Sequence, residues 1–513
     1  MDTENLINLE ANKQNKFANQ TPEQTAALNA KNFKFSQNKA ISKIQKYFKF
    51  DTLGSTFKKE IMGGLITFLA MSYILSVNPA IVSNAVSIHD PNQHMNTFGI
   101  FLATALTSFI GTFVIGIFAN VPLAVSASMG LNAMFVFNIA NGSGGIGYEG
   151  ALIATMLSSI VFVILSVTPL RKLIINAIPK SLVLGVGIAI GFFISYAGIS
   201  GMGWVAKSDG GLPIASLAIL RNNYPMIIVG TFTFGLMLIL HYKKVPGSAA
   251  LAILTGFIIV VIVANSLPDN HWLVVDKGGF GASNFSLIGH GWEYDFSGFT
   301  LNIKNTWKEF SNPEIWNKPV LYISIFVVMF MCFFDATGTL AATSVQLNKR
   351  TNQHHEIQQK ALIVDSASTV IAASLASTPA CVYVESSAGI EQGARTGFAS
   401  IITAFLFLSS IALFPIFKAI PQCVTSAALI FVGIMMITGI TEIEWKKPEF
   451  SVAVFLTIMF MMVTYTIANG MAVGFIAYTF IMIVTGKIKQ VPIAMWPLTA
   501  IFIAYFVATS FIQ

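Results

Sequence analysis

Charge is what this sequence has least of. Asp, Glu, Lys and Arg make up 10% of its 513 residues, where a soluble domain carries about 25%. That shortage excludes an ordinary soluble protein. Arginine occurs only at positions 171, 221, 350 and 395, so the formal net charge of +7 rests on lysine. In so apolar a chain, that excess reads as lysines on the cytoplasmic side of a membrane, with no nucleic-acid partner. Cysteine is scarce too. Cys332, Cys381 and Cys423 each sit in apolar stretches, without the spacing of a disulfide framework or a metal site. No P-loop, HExxH or GxSxG pattern occurs. Those gaps argue against ATP hydrolysis and against enzymatic function in general, and no cofactor or metal is expected.

Long apolar runs are what the sequence has instead. Mean hydropathy is +0.70 and 54% of residues are hydrophobic. Runs near 20 residues recur, about the length at which a helix crosses a bilayer. They predict an all-α polytopic membrane protein. Candidate spans lie near 61–82, 97–118, 122–141, 150–169, 180–200, 224–241, 247–266, 319–343, 358–376, 378–393, 396–417, 423–440, 450–467 and 470–486, with a further apolar run at 491–511. Residues 1–50 carry no apolar core and read as a flexible cytoplasmic tail without a cleavable signal. Within them, "AISKIQKYFKF" (40–50) fits either a short interfacial helix or an ordered linker. With the N-terminus in the cytoplasm, the basic loops at 171–180, 241–246, 346–360, 442–449 and 487–490, with Arg395, fall on one side of a fourteen-span count. The connection 267–318 then lies outside. The run at 491–511 crosses, re-enters or packs on the surface.

Fourteen divides into seven plus seven, and an odd number per half inverts the second half relative to the first. In each half the third span is the most interrupted: "NVPLAVSASMGLNAMF" (120–135) and "STPACVYVESSAGIEQG" (377–393). Paired broken spans point to a binding site near the bilayer midplane, because irregular backbone at that depth must line a cavity or lie buried in protein. Residues 378–384 suit an extended segment and 386–393 a half-helix; a helix merely kinked at Pro379 is the plainer alternative. Few carboxylates lie inside the spans. An ionised Asp at a helix centre costs about 2.5–3.5 kcal/mol, so such acids default to function. Asp335 and Glu385 are read that way, whereas Asp365, near the basic loop 346–360, is read as structural. Glu391 and Arg395, i and i+4, read as a surface pair. Asn132 both donates and accepts, which suits the edge of a nucleobase. Thr67, with Ser72 and Asn78 in the first span, has weaker claims on the same cavity.

These stretches resemble the azaguanine-type branch of the nucleobase–ascorbate transporter family, the guanine, hypoxanthine and adenine permeases. The matching residues are "GGLITFLAMSYILSVNPAI" (63–81), "PLAVSASMGLNAMF" (122–135), "FFDATGTLAA" (333–342), "ALIVDSASTVIAA" (361–373), "VYVESSAGIEQGARTG" (382–397), "ALIFVGIMMI" (428–437) and "TYTIANGMAVGFIAYTF" (464–480). The resemblance runs from about 55 to 511. It implies fourteen spans in inverted repeats, divided into a core domain (51–170 and 319–417, spans 1–4 and 8–11) and a gate domain (171–266 and 418–513, spans 5–7 and 12–14 plus the last apolar run). It implies import of a purine base by proton symport at the cell membrane, through elevator-like sliding of core against gate in a homodimer. Asp335 and Glu385 become the substrate-binding and proton-coupling acids, with Asn132, Ser128, Thr339, Ser386, Thr67 and Thr378 around them. Two departures stand out: Ala127 and Ser128 replace a typical Pro and Gly, and Cys332 replaces a frequent acid three residues before Asp335. Other solutes for the same fold are uracil, xanthine or an anion; a passive channel is a separate class. The lack of a basic residue in both broken segments before Arg395 argues against an anion.

Overall fold

The computed structural model describes residues 38–142, 145–168, 179–207, 213–214, 217–243, 245, 247–266, 294–351, 359–418, 420–464, 467–493 and 495–510. The expected tail before residue 38, residues 169–178 and 352–358 of the basic stretches, and residues 267–293 of the connection 267–318 lie outside the described residues. Among the described residues, seven helical segments are long and apolar enough to cross a membrane: Phe57–Val82, Thr97–Ala119, Gly147–Val167, Ser181–Met202, Pro319–Leu340, Gly397–Phe417 and Gln422–Glu442. Five shorter apolar helices accompany them: Met129–Ala140, Ile227–Tyr242, Ser248–Ile262, Pro448–Thr464 and Asn469–Val484. The helical membrane fold read from the sequence is therefore present.

The third and tenth expected spans are the broken ones. The chain runs extended at Val125–Ala127 and at Ala380–Val382, and each strand leads into a short helical segment, Met129–Ala133 and Ser386–Gln392. The strands pair antiparallel, Val125 with Val382, Ser126 with Cys381 and Ala127 with Ala380. Bonds from Ser128 N–H to the Pro379 carbonyl (2.8 Å) and from Tyr383 N–H to the Ala124 carbonyl (2.9 Å) extend the ribbon at its two ends. Before each strand one residue takes a left-handed conformation, Asn120 (φ 53) and Ala376 (φ 57), a turn that costs a non-glycine residue about 1–2 kcal/mol.

Packing follows small residues. Phe57–Met71 lies against Ser386–Gln392 and Gly397–Ser409; a Cβ at Gly63 would fall 3.0 Å from the Gly389 carbonyl oxygen. Lys180–Met202 crosses Gln422–Ile437 where Gly191 meets Gly433. Met495–Ser510, the run whose fate the sequence leaves open, forms a helix packed on Ile467–Val484, with the Thr479 and Thr499 hydroxyls 2.8 Å apart. A long helix in the outer connection was not foreseen. Phe296–Phe310 folds within the expected outer connection and packs on Thr97–Val114 and Gly147–Val167. Asp295 caps it by accepting the Gly298 N–H at 2.9 Å, and Asn302, Thr306 and Glu309 form its buried polar face.

Candidate functional site

A two-stranded ribbon at membrane depth has two open edges, and each unpaired backbone group there is costly. Flanking helices close both edges. On the first-half strand, the Thr112 hydroxyl of Thr97–Val114 donates to the Val125 carbonyl and accepts the Val125 N–H, both at 3.0 Å. On the second-half strand, Asp365 Oδ1 of Gln359–Ser374 accepts the Val382 N–H at 2.6 Å, and the Thr369 hydroxyl donates to the Ala380 carbonyl at 2.6 Å. Asp365 Oδ2 has no hydrogen-bond partner among the described residues. The ribbon's own side chains add to the hold: Ser126 Oγ lies 2.7 Å from Ser108 Oγ, and the Tyr383 hydroxyl donates to the Ala127 carbonyl.

The two acids meet at this ribbon. Ser128 and Glu385 occupy equivalent places, the residue before each half-helix. The Ser128 hydroxyl donates to Asp335 Oδ2 at 2.9 Å, bringing the long helix Pro319–Thr351 to the first broken span. Glu385 Oε1 accepts the Tyr73 hydroxyl at 2.7 Å. Asp335 and Glu385 lie within electrostatic reach of each other, and both are half-buried, neither sealed in nor turned out to bulk water.

Asn132 is fully buried and donates through Nδ2 to Asn78 Oδ1, while its own Oδ1 has no partner among the described residues. Asn78 in turn donates to the Thr104 hydroxyl at 2.7 Å and accepts from Thr378 at 3.4 Å. Ser386 is buried, and its Oγ accepts the Ala124 N–H at 3.0 Å. Thr67 is buried too and sits under the second half-helix, its Oγ in the space a Cβ at Gly389 would need. Thr339 lies one turn past Asp335, buried, its carbonyl taking the Thr343 hydroxyl at 2.8 Å. The structure thus joins Ser128 to Asp335, Asn132 to Thr378 through Asn78, and sets Ser386 and Thr67 in the packing around the second half-helix. Sequence reasoning passed over Tyr73, Tyr383 and Thr112. Asn78, read from the sequence as a weaker candidate for the same cavity, instead sits at the centre of this network. Toward the sequence-expected pair Glu391–Arg395, the Arg395 guanidinium donates to the Ile390 (2.5 Å) and Ala394 (2.6 Å) carbonyls.

Broken spans joined back to back, with two acids where they meet, fit a membrane transporter. The chain matches the family model described as Permease family over residues 58–472, and it belongs to that family. Among curated relatives, the guanine/hypoxanthine permease PbuG of Bacillus subtilis (strain 168) is 34% identical over 465 residues, covering 90% of this chain and 99% of that one. The guanine/hypoxanthine permease PbuO of the same organism is 32% identical, covering 89% and 98%. The adenine permease AdeP of Escherichia coli (strain K12) is 28% identical, covering 89% and 94%. The expected azaguanine-type kinship is borne out. Of solved structures, the transmembrane domain of a cyanobacterium bicarbonate transporter, BicA, is similar in fold with a TM-score of 0.56 at 16% identity, covering 81% of this chain and 96% of that one.

Proposed function

We propose that this protein imports purine nucleobases, of the guanine, hypoxanthine or adenine type, by proton symport across the cell membrane. The observation that carries the reading is the placement of Asp335 and Glu385 where the paired broken spans meet, each held by a hydroxyl. Ring N–H groups donate to the two carboxylates, and Asn132 accepts from a third edge position. Each carboxylate can also take up a proton, which gives the coupling its chemistry. The names of the guanine/hypoxanthine and adenine relatives support the substrate class.

The same reading takes the chain as fourteen spans in two inverted repeats of seven. Antiparallel pairing of the two strands, each closed by a helix that precedes it in its own half, supports the inversion. The core domain comprises 51–170 and 319–417, and the gate domain 171–266 and 418–513. Transport is an elevator-like slide of core on gate, in a homodimer, with the N-terminus cytoplasmic. Labelled hypoxanthine and guanine uptake tests the function. Asp335→Ala and Glu385→Ala each abolish uptake while the protein still reaches the membrane; normal uptake in both removes the site. Competition by uracil or xanthine without competition by guanine, hypoxanthine or adenine would transfer the assignment to another solute.

A further inference from the structure

The first span carries a tyrosine to which the purine reading gives no task. Tyr73 sits at the short interruption between Phe57–Met71 and Ile74–Val82, where its carbonyl accepts the Ser76 N–H at 3.1 Å and the Val77 N–H at 3.0 Å. Its side chain is 2% exposed, and its hydroxyl reaches Glu385 Oε1, 312 positions away, at 2.7 Å. A phenol buried among apolar residues costs free energy unless its O–H is paired, and this carboxylate is its pair. The bond has two consequences for Glu385. It occupies one carboxylate oxygen, which leaves Oε2 for a ligand N–H. It also engages the ionised and the protonated acid unequally, because a donor to a charged acceptor is the stronger bond.

Among the described residues, the other titratable groups facing Glu385 are Tyr383, from its own segment, and Asp335, from Pro319–Thr351. The Tyr383 hydroxyl is committed to the Ala127 carbonyl, and Asp335 takes the Ser128 hydroxyl. Five residues beyond Tyr73, Asn78 holds Asn132 and Thr378. The first span therefore grips both broken spans through these two side chains.

We propose that Tyr73 is a positioning residue for the acid Glu385: its hydroxyl fixes one carboxylate oxygen, sets the direction of the other, and ties the first span to the proton state of the site. This rests on Glu385 being the purine- and proton-binding acid. Tyr73→Phe removes the hydroxyl alone. With membrane abundance unchanged, labelled hypoxanthine uptake is expected to show a raised KM and a pH profile displaced by about one pH unit. A side chain that only packs would leave the profile in place. Replacing Tyr73 with 3,5-difluorotyrosine keeps the shape and strengthens the donor, so the profile moves opposite to that of Tyr73→Phe. Infrared titration of the Glu385 carboxyl band in purified protein, assigned by its loss in Glu385→Gln, makes the same comparison without transport. Identical band midpoints in the parent and Tyr73→Phe overturn the inference, whether or not purine uptake is found. Absence of uptake by the parent counts instead against the purine reading.

Discussion

Asp335 and Glu385 are each held by a hydroxyl, but the hydroxyls come from different kinds of element. Ser128 belongs to a broken span and Tyr73 to a long one. Asn132 is more exposed to change, because one half of its amide is spent on Asn78 and the other has no partner among the described residues. Asn132→Ala is expected to raise the KM for purine uptake about tenfold, equivalent to ~1.4 kcal/mol, with little change in the maximal rate; an unchanged KM would remove Asn132 from the site. At this scale the sequence was half legible. Asp335 and Glu385 stood out because charge is expensive in hydrocarbon. Tyr73 did not, because a tyrosine among 62 aromatic residues carries no mark of its partner.

Among elements, the paired strands were legible and their supports were not. Proline with small and β-branched residues marks a broken span; a threonine in a neighbouring apolar helix gives no sign that it closes a strand edge. Thr112 and Thr369 do so from the two halves. Thr112→Val and Thr369→Val each keep the shape and leave backbone groups unpaired, which is expected to cost about 1–3 kcal/mol. The readout is a lower thermal midpoint of the purified protein in detergent. The helix Phe296–Phe310 escaped notice because Lys304 and Lys308 give it the look of a loop. Its cap supplies a pH test. The Ser297 hydroxyl, then the Gly298 N–H, hold the Asp295 carboxyl below its ordinary 3.8. A depressed acid contributes stability above its unfolded value and loses it as pH falls through its folded one. Amide-exchange protection at the start of this helix should therefore stay level from about pH 8 to 5 and fall only below about pH 4. A change near neutrality would contradict the capping role.

For the whole molecule, hydropathy alone revealed a helical membrane protein, because length and apolarity together leave few other folds. The proposed count of fourteen rests on less, since two of the expected spans are not continuous helices and parts of the basic loops 171–180 and 346–360 fall outside the described residues. The close crossing of Lys180–Met202 over Gln422–Ile437 at Gly191 and Gly433 fits the proposed gate as one rigid piece against which the core slides. A proton-coupled importer loses accumulation, not merely initial entry, when the gradient is collapsed. Adding a protonophore to loaded proteoliposomes should release accumulated hypoxanthine; retention would argue against symport.

The pairing of Val125–Ala127 with Ala380–Val382 also sets an order of assembly. While the ribosome is still making the second half, the nascent first strand has no partner in the bilayer. The ribbon therefore closes late, once both of its strands have been made. A chain truncated before residue 380 is left with an unsatisfied edge in hydrocarbon, a natural mark for membrane quality-control proteases.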